Sequence, residues 1–523
     1  MITLEKTESI DENFYYNNFK IKPIDACYFL ENGKIFLEKA NGTIERIGTE
    51  EYWERVKKFE PKKEAKISGK KTGPNDCGNC GLCNSHKNKT ALLNIVVTNR
   101  CNLRCWYCFF YSERKNLVYE PSIEEIKKML ETAKQINGYV PPVQLTGGEP
   151  TLRKDLLEII KTIKNYGCPH IQLNTNSVSH GIDFYENEKN VVENLKKLKK
   201  AGLNTIYTSF DGLKKRNNIK NHYEIAYALE AYRRSGIASV VLVPTISQQN
   251  LKEVNDIIRY AAKNIDIVRG VNFQPISIVG MVPKEERNKL RVTQSDIVEE
   301  LYEIGITYED LYPVSAVEVL ADLIGGNEPH VTFYNSEKCG LATYLFVEQD
   351  GNKIYPITNY IEVDSFLSEL TKTRGLVGKL SFLLKVLPES IYQKGLKKGI
   401  AKYLEKYIIE EELPNGINLK KIVKNIIEDG NYESLGEFHK NTLFVGMMHF
   451  MDPYNYDIRR VQRCSIHYAS QDGRLIPFCF YNVFPEIYRD KIIANYSKKD
   501  EKLIEEERTE FRKVLEFRKQ LEN

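Results

Sequence analysis

Apolar and amphipathic segments alternate along the middle of the chain, from Thr90 to about Gly280. The first apolar run, 92–97, is rich in β-branched residues and is typical of a buried strand. Five more strands are predicted at 143–146, 170–174, 205–209, 239–244 and 271–274, with a helix-length segment before each. Strands that alternate with helices predict βα units around a parallel sheet, so an α/β fold is expected.

Local signals support these helices. Ser122 and Glu125 form a capping box, which predicts a helix from there to about Gln135. Gly202 and Gly236 follow amphipathic segments and are predicted C-caps. The helices are therefore expected to end where the next strands begin.

The flanking regions have a different character. The dipeptides Asn32-Gly33 and Asn41-Gly42 predict hairpin turns, and a charged helix is expected at about 50–63. The run 375–387 is apolar but broken by lysines, which suits a membrane surface, the cover of an apolar tunnel or an ordinary core helix. The predicted divisions are 1–75, a small β-rich module; 76–89, a cysteine loop; 90–290, the βα domain; and 291–523, a mixed α/β C-terminal region.

Composition and charge limit the function classes. The 523 residues are 42% hydrophobic and 28% charged, with a net charge of only +4, so no field strong enough to imply nucleic-acid binding is expected. No signal peptide is recognisable, and no apolar run reaches the roughly 18 residues needed to span a bilayer. We expect a cytoplasmic protein that makes at most peripheral contact with a membrane.

Three cysteines directly follow the first predicted strand. Cys101, Cys105 and Cys108 have the spacing CxxxCxxC, which suits three corners of a 4Fe–4S cluster and leaves one iron open for chemistry. The alternative is a zinc site or a structural loop. Because α/β folds place their chemistry at the carboxyl ends of the strands, we expect this loop to be catalytic.

Other cysteines are candidates for further metal sites. Eleven cysteines without a secretory signal indicate metal or redox use rather than disulfides, although Cys168 is predicted to be a core residue. The six candidates are Cys77, Cys80, Cys83, Cys339, Cys464 and Cys479. Zinc, with His86 as fourth ligand, is the alternative for the first three. Six thiols are too few for two fully cysteine-ligated four-iron clusters, so one cluster forms, or one has an open iron or a His ligand.

Polar residues at the strand ends suggest a ligand site. Gly147 and Gly148 allow close approach to a ligand, and the Glu149 carboxylate beside them suits a cationic amine. Further candidates, for ribose and carboxylate contacts, are Asn174, Asn176, Ser209 and Asp211; each is also suited to capping a turn.

Taken together, these motifs resemble the radical SAM superfamily, with Tyr107 beside the last cysteine of the loop. The order DCGxCGLCxxHK, TNRCNLRCxxC, GGEPTLR, CGxATYLFV and RCxIHYAxxDGRxIPFCxYN is similar to an archaeal family that contains tetraether lipid synthase. The resemblance implies a partial (βα)6 barrel. It also implies a SAM-binding cluster on the three loop cysteines, Glu149 on the SAM amine, one or two auxiliary 4Fe–4S clusters on the other six, and a low-potential electron donor such as ferredoxin.

The implied reaction is hydrogen abstraction from unactivated carbons of archaeal ether lipids, followed by C–C bond formation. Two departures, the missing CPxC and CPxHG pair around Cys27 and Ala40 and the presence of Trp106 instead of Pro, suggest a paralogue. The alternative reaction within the family is methylation of a dihydropterin. Lipid coupling needs a dry, apolar channel, whereas a pterin methyltransferase needs a polar pocket for a flat heterocycle. An electron-transfer protein would have no use for the GGE motif.

Overall fold

The computed structural model describes most of the chain. The described residues are 3–6, 26–31, 34–39, 44–65, 82, 86–110, 116–283, 286–316, 318, 334–348, 350–372, 388, 396–409, 413, 418–421, 424, 442–453 and 455–522. Cys77, Cys80, Cys83 and the run 375–387 lie outside them. The predictions made for those residues therefore stay predictions.

The N-terminal module is a four-stranded antiparallel sheet in sequence order. Its strands are β1 (Thr3–Lys6), β2 (Ala26–Glu31), β3 (Lys34–Lys39) and β4 (Ile44–Thr49). β2 pairs antiparallel with β3 and β3 with β4, as two hairpins require, and the predicted turns Asn32-Gly33 and Asn41-Gly42 themselves lie outside the described residues. The following helix, α1 (Glu50–Lys57), is shorter than predicted. Pro61 accounts for the difference, because the residue before a proline is disfavoured in helical conformation.

The main sheet contains six parallel strands in sequence order, which confirms the predicted α/β fold. They are β5 (Leu92–Thr98), β6 (Val143–Gly147), β7 (Ile171–Thr175), β8 (Leu203–Ser209), β9 (Val240–Val243) and, after the two-residue β10 (Thr245–Ile246), β11 (Val268–Pro275). The intervening helices are α2 (Ile123–Asn137), α3 (Leu156–Asn165), α4 (Val178–Ala201), α5 (Ile225–Ser235) and α6 (Val254–Lys263). The Ser122 capping box and the caps at Gly202 and Gly236 are present.

Strands from the C-terminal region extend this sheet at both edges. They are β12 (Tyr312–Pro313), β13 (Gly340–Val347), β14 (Ile354–Pro356), β15 (Thr442–Met448), β16 (Ile466–Ala469) and β17 (Leu475–Pro477). At one edge β15 runs parallel to β11, and at the other β16 runs parallel to β5. Hairpins occur at Asp350-Gly351 between β13 and β14 and at Asp472-Gly473 between β16 and β17.

Further helices surround the C-terminal strands. They are α7 (Arg287–Leu290), α8 (Gln294–Leu301), α9 (Val363–Lys372), α10 (Leu396–Leu404), α11 (Ile458–Gln462), α12 (Phe478–Val483), α13 (Arg489–Tyr496) and α14 (Glu501–Glu522). None of the helices within the described ranges combines the length and apolarity that a bilayer span requires.

One face of the parallel sheet packs against the helices, and the other face lines a cavity. On β5, Leu93, Ile95 and Val97 are fully buried in the main core, under the helices. The alternate residues Leu92 and Asn94 instead line an internal cavity. Because side chains alternate along a strand, this division recurs from β5 to β11, and the inner face encloses the candidate site.

Candidate active site

A cavity of about 220 Å³ lies inside the sheet and reaches the carboxyl ends of its strands. Residues of nine strands line it, together with the cysteine loop that follows β5. Of the predicted site residues, the lining includes Cys101, Cys105, Tyr107, Cys108, Gly147, Gly148, Asn174, Asn176 and Ser209. The structure therefore brings most of the predicted site together, at the end of the sheet where the strand topology predicts it.

The three loop cysteines have the chemistry that an iron cluster needs. None of them forms a disulfide. Burial raises the pKa of Cys105 to about 12, and it also raises the pKa values of Cys101 and Cys108. Such thiols lose their protons when a metal cation binds, because the cation stabilises the thiolate. The donor set therefore fits a 4Fe–4S cluster held at three corners.

A site for a single metal ion needs several ligand side chains that point at one position. Throughout the part of the chain that the structure describes, no three His, Cys, Asp or Glu side chains converge on one point, as the ligands of a single ion do. The cysteines of a four-iron cluster each bind a different iron and need not converge. The geometry gives the zinc alternative no support at this loop.

The two glycines hold β6 against the cysteine loop. A Cβ added to Gly147, whose φ is +141°, would lie 2.1 Å from the Thr98 carbonyl oxygen. A Cβ on Gly148 would lie 2.1 Å from that of Arg100. The Gly148 amide donates to the Thr98 carbonyl at 2.8 Å. Close approach was predicted toward a ligand, and these contacts add a second reason for glycine, namely backbone against backbone.

Glu149 lies behind the cavity wall rather than on it. Its carboxylate is 1% exposed and accepts hydrogen bonds from the Thr175 hydroxyl at 2.7 Å and the Asn176 amide at 2.8 Å. It also accepts from the amide and hydroxyl of Thr151. Burial raises its pKa, and these hydrogen bonds oppose that effect. In this structure Glu149 ties the ends of β6 and β7 together, and its predicted contact with the SAM amine stays a prediction.

Asp211 positions Tyr107. The Asp211 carboxylate is 1% exposed, accepts a short hydrogen bond from the Tyr107 hydroxyl and accepts another from the Thr245 amide at 2.8 Å. Burial and this neighbouring carboxylate raise the pKa of Tyr107 well above its usual value. The predicted direct contact of Asp211 with the cofactor stays a prediction, and in this structure Asp211 contacts the tyrosine that lines the cavity.

Lys220 carries the only charge among the described cavity-lining side chains. Its Nζ lies 3.8 Å from the Asp211 carboxylate and 4.9 Å from the centre of the Tyr107 ring. The sequence analysis missed it because it stands in the loop between β8 and α5, outside any motif. Asp211 does not itself line the cavity, so Lys220 is the charged group that a ligand there would meet, and it suits an anionic ligand group such as a carboxylate.

The floor of the cavity is a layer of carboxamides that the sequence analysis also missed. Asn94, Gln144 and Gln172 are neighbours in register on β5, β6 and β7. The Gln144 amide donates to the Asn94 side-chain oxygen at 2.8 Å, and Gln172 donates to Gln144. Across the sheet, the Asn272 amide on β11 donates to the Tyr207 hydroxyl. These polar residues occupy inward positions on their strands. The sequence signal that could have identified them is the alternation of polar and apolar residues in QLT, QLNT and NFQ.

Two atoms of this floor have no hydrogen-bond partner. They are Nδ2 of Asn94, a residue with 0% exposure, and Oδ1 of Asn272, a residue with 8% exposure. Beside the floor stands an aromatic wall of Phe450, Tyr468 and Phe478. The Phe478 ring lies 5.4 Å from Tyr468 and 4.4 Å from Phe450, between ring centres. The cavity thus combines unsatisfied polar groups with flat apolar surfaces.

Cys339 and Cys479 lie close to the Arg460 guanidinium, and Cys464 lies close to both of these thiols, outside the described residues that line the cavity. Burial and the neighbouring thiols of Cys479 and Cys339 raise the pKa of Cys464, and burial raises that of Cys479 to about 11. His86, considered as a zinc ligand, instead has its Nε2 2.9 Å from the Cys464 carbonyl oxygen. The predicted juxtaposition of Cys339, Cys464 and Cys479 is therefore present in the structure. Cys168 is 1% exposed within the main core, as predicted.

The long helix α14 packs against the cysteine loop. Its Glu507 carboxylate accepts from the Cys101 amide at 3.2 Å and from Arg104 at 3.1 Å. Val514 and Phe517 bury Leu103 in a small apolar cluster. No motif pointed to this contact, which the fold brings about between residues 406 positions apart.

Most of the chain is similar to proteins of known activity. Residues 95–261 match the Radical SAM superfamily model. A 7,8-dihydro-6-hydroxymethylpterin dimethyltransferase of Methanocaldococcus jannaschii is 39% identical over 497 residues, which cover 91% of this chain and 94% of the relative. A GTP 3',8-cyclase of Aquifex aeolicus is 27% identical and covers 54% of this chain and 89% of the cyclase.

Among solved structures, SuiB of Streptococcus suis bound to S-adenosylmethionine covers 37% of this chain and 40% of its own, at 18% identity and a TM-score of 0.29. The pterin dimethyltransferase, in contrast, matches over nearly the whole of both chains. The protein therefore belongs to the radical SAM superfamily, whose enzymes use a 4Fe–4S cluster and S-adenosylmethionine.

Proposed function

We propose that the protein is a radical SAM methyltransferase that acts on carbon atoms of a dihydropterin. The 7,8-dihydro-6-hydroxymethylpterin dimethyltransferase of Methanocaldococcus jannaschii matches nearly the whole chain. The observation that carries the proposal is the set of carboxamide side chains among the residues that line the cavity, namely those of Gln144, Gln172, Asn174 and Gln274. A flat heterocycle with donors and acceptors on its edge complements these groups, and its faces can stack on the aromatic wall.

A lipid chain complements this floor poorly. A buried donor or acceptor left unpaired costs about 1–3 kcal/mol, and an isoprenoid chain has no polar group that could pair with the carboxamides of the cavity. The relatives give no support to a lipid substrate, which was the leading expectation from the sequence. The run 375–387, which suggested a greasy tunnel, lies outside the described residues. The dihydropterin, the alternative from the sequence, is therefore the better supported substrate.

Within this proposal the site residues have separate roles. Cys101, Cys105 and Cys108 hold the cluster, and Lys220 pairs with the carboxylate of S-adenosylmethionine. Asn176 and Ser209 contact its ribose. Together the cluster and S-adenosylmethionine would supply a radical that removes hydrogen from a carbon whose proton no side chain has the pKa to take. The methyl group that replaces this hydrogen would come from a one-carbon donor, for which a second molecule of S-adenosylmethionine is available in the experiment below.

The auxiliary sites complete the proposal. Cys339, Cys464 and Cys479, with Cys77, Cys80 and Cys83, hold one or two auxiliary 4Fe–4S clusters. The first three lie close enough for their charges to interact. A low-potential donor such as ferredoxin supplies the electrons.

The proposal is tested by anaerobic incubation of the reconstituted, reduced protein with S-adenosylmethionine and one of two substrates. One reaction contains 7,8-dihydro-6-hydroxymethylpterin and the other contains vesicles of archaeal diether lipid. Mass spectrometry should show added methyl groups on the pterin, together with 5'-deoxyadenosine, and unchanged lipid. Loss of hydrogen from the lipid with an unchanged pterin would overturn the proposal.

A pair of cysteine variants provides the control for the cluster assignment. Cys105→Ala should abolish formation of 5'-deoxyadenosine, because it removes one corner of the SAM-binding cluster. Cys168→Ala removes a buried thiol that lies in the core and not on the cavity, so it should retain this activity. Equal activity in both variants would contradict the assignment.

A further inference from the structure

We propose that α14 is a brace that fixes the position of the cysteine loop relative to the cation that receives the carboxylate of S-adenosylmethionine. Its positioning residues are Glu507, which holds the cysteine loop, and Arg518, which holds the loop that carries Lys220. These roles rest on the proposed function, in which the loop cysteines hold the cluster and Lys220 pairs with S-adenosylmethionine. They do not depend on which substrate the radical attacks.

One end of α14 holds the backbone of the cysteine loop. The Glu507 carboxylate accepts from the Cys101 amide at 3.2 Å and from Arg104 at 3.1 Å. Arg104 also donates to the Cys101 carbonyl at 2.7 Å, so the three residues form a closed set of contacts. Glu507 is only 8% exposed, and hydrogen bonds to a carboxylate are stronger than those between neutral groups. Cys101 is therefore held through both its amide and its carbonyl.

The other end of α14 holds the loop between β8 and α5. The Arg518 guanidinium donates to the Lys220 carbonyl and, at 3.1 Å, to the Ile219 carbonyl. Its Nε donates to the fully buried Glu224 carboxylate at 2.7 Å. The donors of a guanidinium have a fixed fork geometry, so one side chain can serve all three acceptors. Lys220 is thus anchored at its backbone while its side chain lines the cavity.

Both positioning residues lie on one face of the helix. Glu507 and Arg518 are separated by about three turns, or about 16 Å along the axis. Between them, Val514 and Phe517 are buried on the same face and pack against Leu103 of the cysteine loop. A displacement of either loop would therefore have to break contacts along the whole of this face.

The two loops that α14 joins meet at the candidate site. The Lys220 Nζ lies 4.9 Å from the centre of the Tyr107 ring, in the cysteine loop. The methionine end of S-adenosylmethionine is short, so a carboxylate paired with Lys220 leaves the ligand little freedom to follow a displaced cluster. A misplacement of about 1 Å can cost about a hundredfold in rate. A brace across both loops limits such misplacement.

The test for Arg518 measures the Kd of S-adenosylmethionine by equilibrium dialysis with the reconstituted enzyme. Oxygen is excluded and the cluster is left oxidised, so the ligand is not cleaved. Arg518→Lys keeps a positive charge beside Glu224 but loses the fork that reaches both carbonyls. It should raise the Kd about threefold to tenfold, as a weakened hydrogen bond does. In a Lys220→Met background the same change should leave the Kd unaltered, because the group that Arg518 positions is gone.

The test for Glu507 measures iron content after reconstitution. Glu507→Ala removes the acceptor and should lower the iron bound per chain, whereas Glu507→Gln keeps an oxygen that accepts from Cys101 and should retain most of it. In a Cys105→Ala background, Glu507→Ala should cause no further loss, because the cluster that it supports is already disrupted. Glu516→Gln changes an exposed carboxylate of the same helix and should match the wild type in both assays.

The outcomes separate the brace from the proposed substrate, since neither assay contains a pterin. An equal rise in Kd for Arg518→Lys in both backgrounds would refute the brace, and so would wild-type iron content in Glu507→Ala. If Lys220→Met binds S-adenosylmethionine as tightly as the wild type, the role given to Lys220 is wrong and the brace fails with it. If both assays give the expected pattern but no dihydropterin is methylated, the proposed substrate fails and the brace stands.

Discussion

Replacing Gly147 by alanine should damage both stability and cluster binding. The added Cβ would lie 2.1 Å from the Thr98 carbonyl oxygen, far inside the contact distance of about 3.5 Å. Overpacking of this kind costs about 1–3 kcal/mol, and the φ of +141° costs a residue with a side chain about 1–3 kcal/mol more. The sum, about 2–6 kcal/mol, is a large part of the 5–15 kcal/mol that typically holds a domain together.

Gly138→Ala is the matched control. Gly138 ends α2 with a φ of +83°, and a Cβ there would meet nothing within 4 Å, so only the conformational cost remains. Urea unfolding should show a lower midpoint for Gly147→Ala than for Gly138→Ala. Iron analysis after reconstitution should show that only Gly147→Ala loses iron, because its Cβ displaces the strand end that leads into the cysteines. Equal midpoints and equal iron contents would refute this reasoning.

Three further predictions concern other parts of the site. Burial lowers the pKa of His180 to about 4, so the unfolded chain gains the proton first as pH falls below 6.5. Up to about 3 kcal/mol of stability is lost between pH 6.5 and 4, and His180→Gln should flatten this part of the pH dependence of unfolding. Arg518→Ala leaves the buried Glu224 unpaired and should loosen α14, seen as faster proteolysis of that helix. Lys220→Met should raise the KM for S-adenosylmethionine at least severalfold, whereas a purely structural role would lower stability without changing KM.

The parallel sheet could be predicted because each of its strands carries its own burial signal. The run 92–97 is apolar except for Asn94, and the structure buries all of it except Leu92, which is half-buried. The pairings of β15 with β11 and of β16 with β5 could not be predicted. They join segments more than 170 residues apart, and nothing within a short strand specifies its distant partner.

The same distinction applies to the site. The cysteines and the Gly147-Gly148 pair are local motifs with a fixed chemistry, and the structure places them together on the cavity. Asn94 and Asn272 each stand in an ordinary strand, and only the curvature of the sheet shows that they share a cavity. Glu149 and Asp211 were predicted as direct cofactor contacts, and these contacts stay predictions; in the structure both carboxylates accept hydrogen bonds from neighbouring residues of the site. Burial of a carboxylate depends on tertiary packing, which a motif does not encode.

The contact between α14 and the cysteine loop has a consequence for how the protein is made. Glu507 and Cys101 are 406 residues apart, and a ribosome adds about 5–20 residues per second. The cysteines therefore emerge roughly 20–80 s before the helix that covers them has been synthesised. During that interval the nascent thiols are open to oxygen and to stray metal ions. Iron delivery is thus best timed after translation has passed α14, and a chain interrupted before that point carries the whole cysteine motif without the support that holds it.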